Sequence, residues 1–516
     1  MSNQILLINA IHPEEFRIAL VEGSSLEGFF IETTSRATCV GNIYKGIVEQ
    51  VQPALQAAFV NYGAERNGFL PLDEIHPDYF CQDPVGEPRI QDLIQPGQEV
   101  LVQVTKDGGN LKGAALTTYI SLAGRYVVLM PGRNQRAISR KITDEEQRER
   151  LKTIAHEIPL PEEFGIIIRT AAANQTKKDI LKDLRYLLRI WENIREKAST
   201  QPAPSLIYQE RGLAIRVIRD YFTPEIKRIV VDQKDVYKEV KDFLRIISPK
   251  HQNCVELHRH TTPLFTHYKI EDQIERIFEK RVPLKSGGYL IIEQTEALVA
   301  IDVNSGGATV DKDIEETAFR VNMEAAAEIP RQLRLRDLGG LIVIDFIDMS
   351  HPAKKAKVEQ ELRKATRKDK AKITVGKISR FGLLEMSRQH LGMSVQLGSY
   401  KECPYCRGTG MVQTAEAAAL SFLRKIWAKL ALEDGVRKLR VKVAPDVAFY
   451  LLNRKRPDIM DLEERYKVSI FVEGDPSLRQ DEGIIEEVQT VIPRHEVPRN
   501  SPEEGDPSSR VPRDSG

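Results

Sequence analysis

Long apolar runs are missing from this chain of 516 residues. No stretch approaches the roughly 20 consecutive apolar residues needed to cross a bilayer, so a helical membrane span is not expected. Cysteine is scarce: there are five, of which Cys39, Cys81 and Cys254 are scattered and only Cys403 and Cys406 lie close together. An odd, dispersed set argues against a secreted disulfide scaffold and for a reducing compartment. No charged N-terminal segment leads into a long apolar core, so no secretory leader is expected and a cytoplasmic location follows. An overall charge bias is also lacking, with 75 Lys and Arg against 74 Asp and Glu. The balance hides one strongly basic stretch, since residues 351–390 carry 12 Lys and Arg against 4 Asp and Glu. Such a run is commonly a solvated helix face, but beside a metal site it would supply counter-charge for an anionic polymer.

What is present is enough apolar sequence for several cores. The chain is 41% hydrophobic and 29% charged, ordinary for soluble globular domains, and too long for one of them. Its most informative residues are two aspartates. Asp302 closes the apolar run Ala297–Ile301, and Asp345 closes Leu341–Ile344, each at the end of an expected buried strand. Residues 313–336 between them read as helix, which lets both strands join one sheet. Two carboxylates at one sheet edge, with Asn304 beside the first, can hold a hard divalent cation and serve phosphodiester cleavage. A lone strand-end aspartate would be only a turn or cap residue. Asp348 is expected to turn away or fall in the following turn, and Pro330 to kink or split the helix.

The rest of the chain divides by pattern. Short strands are expected at Ile5–Ile8, Phe16–Val21 and Phe29–Ile31, too few for a domain alone. They seek partners in residues 215–278, where strands are expected over Ile215–Ile218 and Arg228–Val231 and a helix near Val236–Ile247. That makes residues 1–35 and 215–278 one domain split by an insertion. Residues 36–119 hold five short strands with glycines at the bends, the pattern of a small closed barrel of the OB type. The segment resembles an S1 RNA-binding domain. That likeness implies that Phe59, Phe69 and Lys112 contact RNA, by stacking and by charge; taken alone, each Phe would read as core.

Residues 120–214 contain a strand at Gly165–Ile168 ending in Arg169 and Thr170, then a helix beginning near Asn174 or Thr176. A strand-end arginine just before a helix N-terminus suits an anion. Residues 401–414 include Cys-Pro-Tyr-Cys with nearby glycines. Two thiolates are half of a structural zinc site, so the other half is expected from a second copy. The motif does not sit between a strand and a helix as in a thioredoxin-like redox site, which weakens a redox role. Residues 415–475 read as a small α/β unit, and residues 476–516 as a disordered tail rich in Pro, Ser and charge.

In this order the parts resemble the catalytic region of the bacterial ribonuclease E/G family, over about residues 1–475. The blocks that carry the likeness are IDVNS at 301–305, RLRDLGGLIVIDFID at 334–348, ISRFGLLEMSR at 378–388 and CPYCRGTG at 403–410. The resemblance implies a multidomain α+β and α/β architecture. It comprises a split RNase H-like domain, an inserted S1 barrel, a 5′-sensor domain, a DNase I-like domain at 279–400, a zinc link and a small domain. It implies Mg²⁺ on Asp302 and Asp345, with Asn304 orienting the phosphate. A 5′-monophosphate sensor falls on Gly124, Val128, Arg140, Arg169, Thr170 and Lys372. Lys372 stands where the best-known members have arginine, so a bidentate grip becomes a point charge. Cys403 and Cys406 match a zinc link between protomers, within a dimer of dimers. The activity implied is cleavage of single-stranded, A/U-rich RNA in rRNA processing and mRNA decay, leaving 5′-phosphate and 3′-hydroxyl ends. The rival reading is a non-catalytic RNA-binding scaffold. Contacts with other RNA-decay proteins and peripheral membrane association are further possibilities the family raises.

Overall fold

Burial on both faces explains the first sheet. In Gln4–Asn9, Leu6 and Ile8 pack on one side with Ile215, Ile218 and Leu244. Leu7 packs on the other with Leu264, Phe265 and Ile274. This strand pairs antiparallel with Glu15–Glu22, and that strand with Ser25–Thr33. On its other edge it runs parallel to Ile226–Val231, which carries Val255–Leu257 beyond it. The computed structural model describes residues 4–33, 39–82, 88–108, 113–142, 144–307, 314–389, 403–433 and 436–488. Its chain separates into two compact units, one ending at Tyr400 and the other starting at Lys401.

Two expectations for this region change. Leu213–Tyr221 is a helix rather than a strand over Ile215–Ile218. Its Ala214, Ile215, Val217 and Ile218 form a helical stripe against the sheet, and tertiary burial overrides their β-branched preference. A helix spans Lys234–Ile247 as expected.

The inserted barrel is built from five strands. Ile43–Gln52 pairs with both Ala57–Asn61 and Glu99–Lys106; Gly68–Pro71 and Ala115–Thr117 complete the circuit. Val48, Ala58, Val60, Leu70, Val102 and Leu116 fill its interior. The topology is that of an OB-type closed barrel. Ser205–Tyr208 adds a sixth strand to its edge.

A second six-stranded sheet of the first unit positions the aspartates. Its order is Arg281–Pro283, Tyr289–Gln294, Leu298–Asn304, Gly340–Asp345, Leu383–Arg388, Ile373–Ile378. Leu298–Asn304 and Gly340–Asp345 are parallel neighbours. The helix Ile314–Arg336 connects them, burying Val321, Ala325, Ile329 and Leu333 against the sheet. Pro330 does not split this helix, which runs unbroken through it. Packing along its buried face outweighs the one lost backbone donor. The acidic residues Asp311 and Asp313, expected at its start, lie outside the described residues.

The second unit has a three-stranded sheet in which Lys438–Val443 lies between parallel Ser469–Gly474 and antiparallel Gly483–Glu487. Helices Ala415–Leu432, Pro445–Arg454 and Arg456–Tyr466 cover it through Phe422, Ile426, Val447, Leu451 and Leu462. The last strand falls inside the segment expected as tail from residue 476, so ordered structure extends at least to Glu487. The sequence reading stopped short because Gly483–Glu487 is mostly exposed and lacks apolar alternation.

Candidate active site

Strand register brings the two aspartates together. Asp302 and Asp345 are direct partners across the parallel pair Leu298–Asn304 and Gly340–Asp345. Both follow a buried isoleucine, Ile301 or Ile344, so the pleat turns both carboxylates to the exposed side. The Asn304 amide Nδ2 donates to Asp302 Oδ2 at 2.8 Å. That nitrogen carries two hydrogens, so one remains for another acceptor.

Asp348 belongs to the same place. It lies in the turn after Asp345, as expected, but is not turned away. A Cβ on Gly382 would stand 3.2 Å from Asp348 Oδ1 and 3.9 Å from Asp345 Oδ1. Gly382 has φ +83°, so a side chain there would be strained as well as crowded. Loss of water around Asp345, then the Asp302 and Asp348 carboxylates, hold the Asp345 carboxyl above its usual range.

The loop that carries Asp348 is clamped from below. Asn322, on the helix Ile314–Arg336, is fully buried. Its Nδ2 donates to Ile347 O at 2.8 Å, and its Oδ1 accepts from Ile347 N at 3.1 Å. One side chain thereby satisfies both polar groups of the residue between the two carboxylates. The sequence shows only an asparagine among the apolar positions of this helix, which does not reveal a partner 25 residues away.

The donor set fits a hard divalent cation. Two carboxylates with solvent-facing oxygens suit Mg²⁺, which keeps several waters and takes one or two protein carboxylates. Among the described residues no three His, Cys, Asp or Glu side chains are arranged to enclose a metal, so the remaining positions would fall to water and phosphate. The basic run nearby is less free than expected. Lys354 pairs with Glu316 at 2.8 Å, and Arg363 donates to Val375 O at 2.7 Å. Arg388 is buried between Asp369, at 2.8 Å, and Asp337, at 3.0 Å.

A second polar site surrounds Arg169, at the end of the strand Phe164–Ile168. Its guanidinium donates to Gly124 O and pairs with Asp220 at 2.6 Å. A Cβ on Gly124 would sit 2.5 Å from Asp183 Oδ2, which accepts from Tyr126 N at 2.7 Å. Only glycine therefore fits there. Val128 is half-buried on the neighbouring strand, opposite Ile167. Thr170, Arg140 and Lys372 are exposed. The helix begins where expected, with Thr176 as its N-cap, but not directly beside Arg169. A short 3-10 turn, Thr170–Ala172, intervenes, and the helix starts at Lys177. A capping box pairs Asp179 N with the Thr176 hydroxyl and Thr176 N with the Asp179 carboxylate.

Further cations lie around Arg169, and two of them had no motif. Lys370 lies with its ammonium 3.8 Å from the Tyr221 ring centroid. Burial lowers its pKa to about 8; Asp220 opposes this, while Arg169, Arg125 and Lys141 add to it. Arg125 is buried, with Nη2 donating to Phe222 O at 3.1 Å and neither Nε nor Nη1 finding a protein partner. Arg125 and Lys370 thus add cationic groups near Arg169, whose own partner is Asp220.

On the barrel, Phe59 and Phe69 are direct cross-strand partners, half-buried, with ring centroids 6.0 Å apart at 65°. They alternate with the inward residues Ala58, Val60 and Leu70, so neither belongs to the barrel core. Lys112 lies outside the described residues. In the second unit, Cys403 and Cys406 are free thiols on a turn closed by Arg407 N to Cys403 O at 2.9 Å. Backbone N–H groups of Cys406 and Tyr405 hold the Cys403 thiol below its usual pKa, favouring the thiolate a metal needs.

The family model described as "Ribonuclease E/G family" matches residues 121–391, more than half of the chain. This chain belongs to the ribonuclease E/G family. The model described as "S1 RNA binding domain" matches residues 39–112, and "RNase E/G, Thioredoxin-like domain" matches residues 402–488. Ribonuclease E of Haemophilus influenzae is 47% identical over 471 residues, 90% of this chain and 50% of that protein. Ribonuclease E of Escherichia coli K12 is 47% identical over 465 residues, 89% of this chain and 44% of that protein. Ribonuclease G of the same strain is 37% identical over 484 residues, 92% of this chain and 98% of that protein. The chain spans about half the length of the ribonuclease E proteins it matches. No helix among its described residues is long and apolar enough to cross a membrane.

Proposed function

We propose that this chain is an endoribonuclease that cuts single-stranded, A/U-rich RNA in rRNA processing and mRNA decay. The observation that carries the reading is Asp302 directly opposite Asp345, with Asn304 bonded to the first. These two carboxylates are the ligands for Mg²⁺, which when bound supplies charge neutralisation for the phosphodiester and a more acidic water. Asn304 keeps Asp302 oriented and directs its second N–H at a phosphate oxygen. Water adds in line to phosphorus, the bond to the 3′ oxygen breaks, and that oxygen leaves with a proton. The products are a 3′-hydroxyl and a 5′-phosphate.

The barrel face bearing Phe59 and Phe69 stacks bases without reading sequence, and Lys112 follows the backbone. Arg169, with Lys370, Arg125 and Lys141 around it, takes a terminal 5′-phosphate, and Lys372 contributes a point charge at the edge. In domain terms the parts are a split RNase H-like domain, an S1 barrel, a 5′ sensor and a DNase I-like domain. Cys403 and Cys406 contribute half of a zinc link to a second copy, within a homotetramer in the cytoplasm.

The test is a 5′-monophosphorylated single-stranded RNA incubated with the protein and Mg²⁺. Asp302→Asn and Asp345→Asn are each expected to lower kcat by on the order of a hundredfold or more. Cleavage as fast as native by both variants overturns the metal assignment. Native protein that binds but never cuts favours the non-catalytic scaffold.

A further inference from the structure

We propose that Phe381 and Arg380 form a base-stacking subsite beside the paired carboxylates, holding one unpaired nucleotide next to the phosphate to be cut. The proposal deepens the ribonuclease reading and rests on it. Phe381 is 69% exposed, although most large aromatic side chains gain from burial. A single exposed Phe is unremarkable on its own; its position distinguishes this one.

The turn Ser379–Gly382 links Ile373–Ile378 to Leu383–Arg388. Ser379 N donates to Leu383 O at 2.8 Å, and Gly382 N donates to Ser379 O at 3.2 Å. The Ser379 hydroxyl oxygen accepts from Phe381 N at 3.2 Å. Three hydrogen bonds therefore hold a ring that packs into no core. The next residue, Gly382, is the one that abuts the Asp345 and Asp348 carboxylates. Leu383 is the cross-strand partner of Asp345. A phosphodiester reaching Asp302 and Asp345 must bring its neighbouring nucleotides to this tip.

The chemistry of the tip suits a nucleotide. The Arg380 guanidinium lies 4.7 Å from the Phe381 ring centroid, so it covers one face and leaves the other for a base. Arg380 also offsets the local excess of carboxylate, which would otherwise repel a phosphate. An aromatic stacks on any base, so the subsite would add affinity without sequence readout, as on single-strand binding surfaces. Glycine at 382 lets the backbone turn sharply enough to keep ring and carboxylates adjacent.

The experiment places 2-aminopurine at successive positions of a 5′-phosphorylated single-stranded RNA of about a dozen nucleotides, a length within one barrel's reach. Emission is read on binding to the full chain without divalent metal, since stacking on an aromatic quenches it. With native protein, quenching is expected at one or two positions beyond those that depend on Phe59 and Phe69. Phe381→Ala should lose that quench and keep the Phe59- and Phe69-dependent ones, which also shows that the variant is folded. Phe381→Trp should retain it. In the cleavage assay Phe381→Ala should raise KM about tenfold, the lower end of one base stack. The proposal is overturned if Phe381→Ala leaves every quench and the KM unchanged. It is equally overturned if the variant alters only the oligomer mass, which would make Phe381 a contact between copies. Because quenching needs no cleavage, a Phe381-dependent quench in a protein that never cuts would retain the subsite and remove the ribonuclease reading.

Discussion

Lys370 shows what a single residue can do without a motif. It sits among Arg169, Arg125 and Lys141, half-buried, with a pKa lowered to about 8. Its charge is therefore lost as pH rises through 8, far below the usual range for lysine. A terminal phosphate gains from the charged form. The preference for 5′-monophosphate over 5′-hydroxyl RNA, as a ratio of kcat/KM, should fall between pH 7 and pH 9. Lys370→Arg should hold the ratio flat, because guanidinium stays charged throughout. A native ratio that does not change with pH would rule Lys370 out of the sensor. The fold responds with the opposite sign. A lowered pKa means the charged lysine opposes folding below about pH 8, and that penalty fades as pH climbs towards 10.5. Asp302, Asn304 and Asp345 were legible because apolar runs ending in a polar residue mark strand ends. Lys370, Arg125 and Asn322 were not, because their partners Tyr221, Phe222 and Ile347 lie far from them in the chain. Arg140 and Lys372, named from resemblance, are exposed, and the charge at the heart of the site comes from Arg125 and Lys370.

Elements were easier to read than their joints. The helix Ile314–Arg336 was expected to within a residue of its described start, yet Pro330 was given too much weight. A proline costs a helix about 3 kcal/mol, and seven other buried apolar residues along this one outweigh it. The reverse error occurred at Leu213–Tyr221, where isoleucine and valine suggested a strand and the packing made a helix. The joint that matters most is the one between Ile314–Arg336 and the turn after Asp345, closed by Asn322 on Ile347. Asn322→Ala leaves a buried N–H and a buried C=O unpaired, at about 1–3 kcal/mol each. Urea unfolding should show stability reduced by roughly 2–4 kcal/mol. The Mg²⁺ concentration for half-maximal cleavage should rise, since Asp345 and Asp348 lose their fixed spacing. An unchanged urea midpoint would mean the clamp contributes nothing.

Across the whole molecule, the sheets follow changes in pattern: Gln4–Asn9 pairs with Ile226–Val231 around an inserted barrel of short, glycine-bent strands. The length of the final unit was not legible in the sequence, because Gly483–Glu487 is an exposed edge strand with weak alternation. The cysteine pair sets a prediction at this scale. Each chain offers two thiolates to a metal that takes four ligands. Cys403→Ala and Cys406→Ala should each halve the mass seen by light scattering and release bound zinc. Unchanged mass would refute a site shared between copies. Relatives named ribonuclease G are matched over 98% of their length.

The first sheet also sets a timetable. Gln4–Asn9 must wait for Ile226–Val231 before its open edge is filled. At the usual 5–20 residues per second, a ribosome takes roughly 10–40 s to make the intervening chain. In that interval the barrel, whose contacts are closer in sequence, can close on its own. The N-terminal meander meanwhile presents Leu6, Leu7 and Ile8 beside an unpaired strand edge, a surface prone to pairing with other nascent chains. The newborn protein is therefore most vulnerable before its nuclease residues have been synthesised at all, and slowed translation within residues 34–225 should tax its yield more than slowing after residue 257.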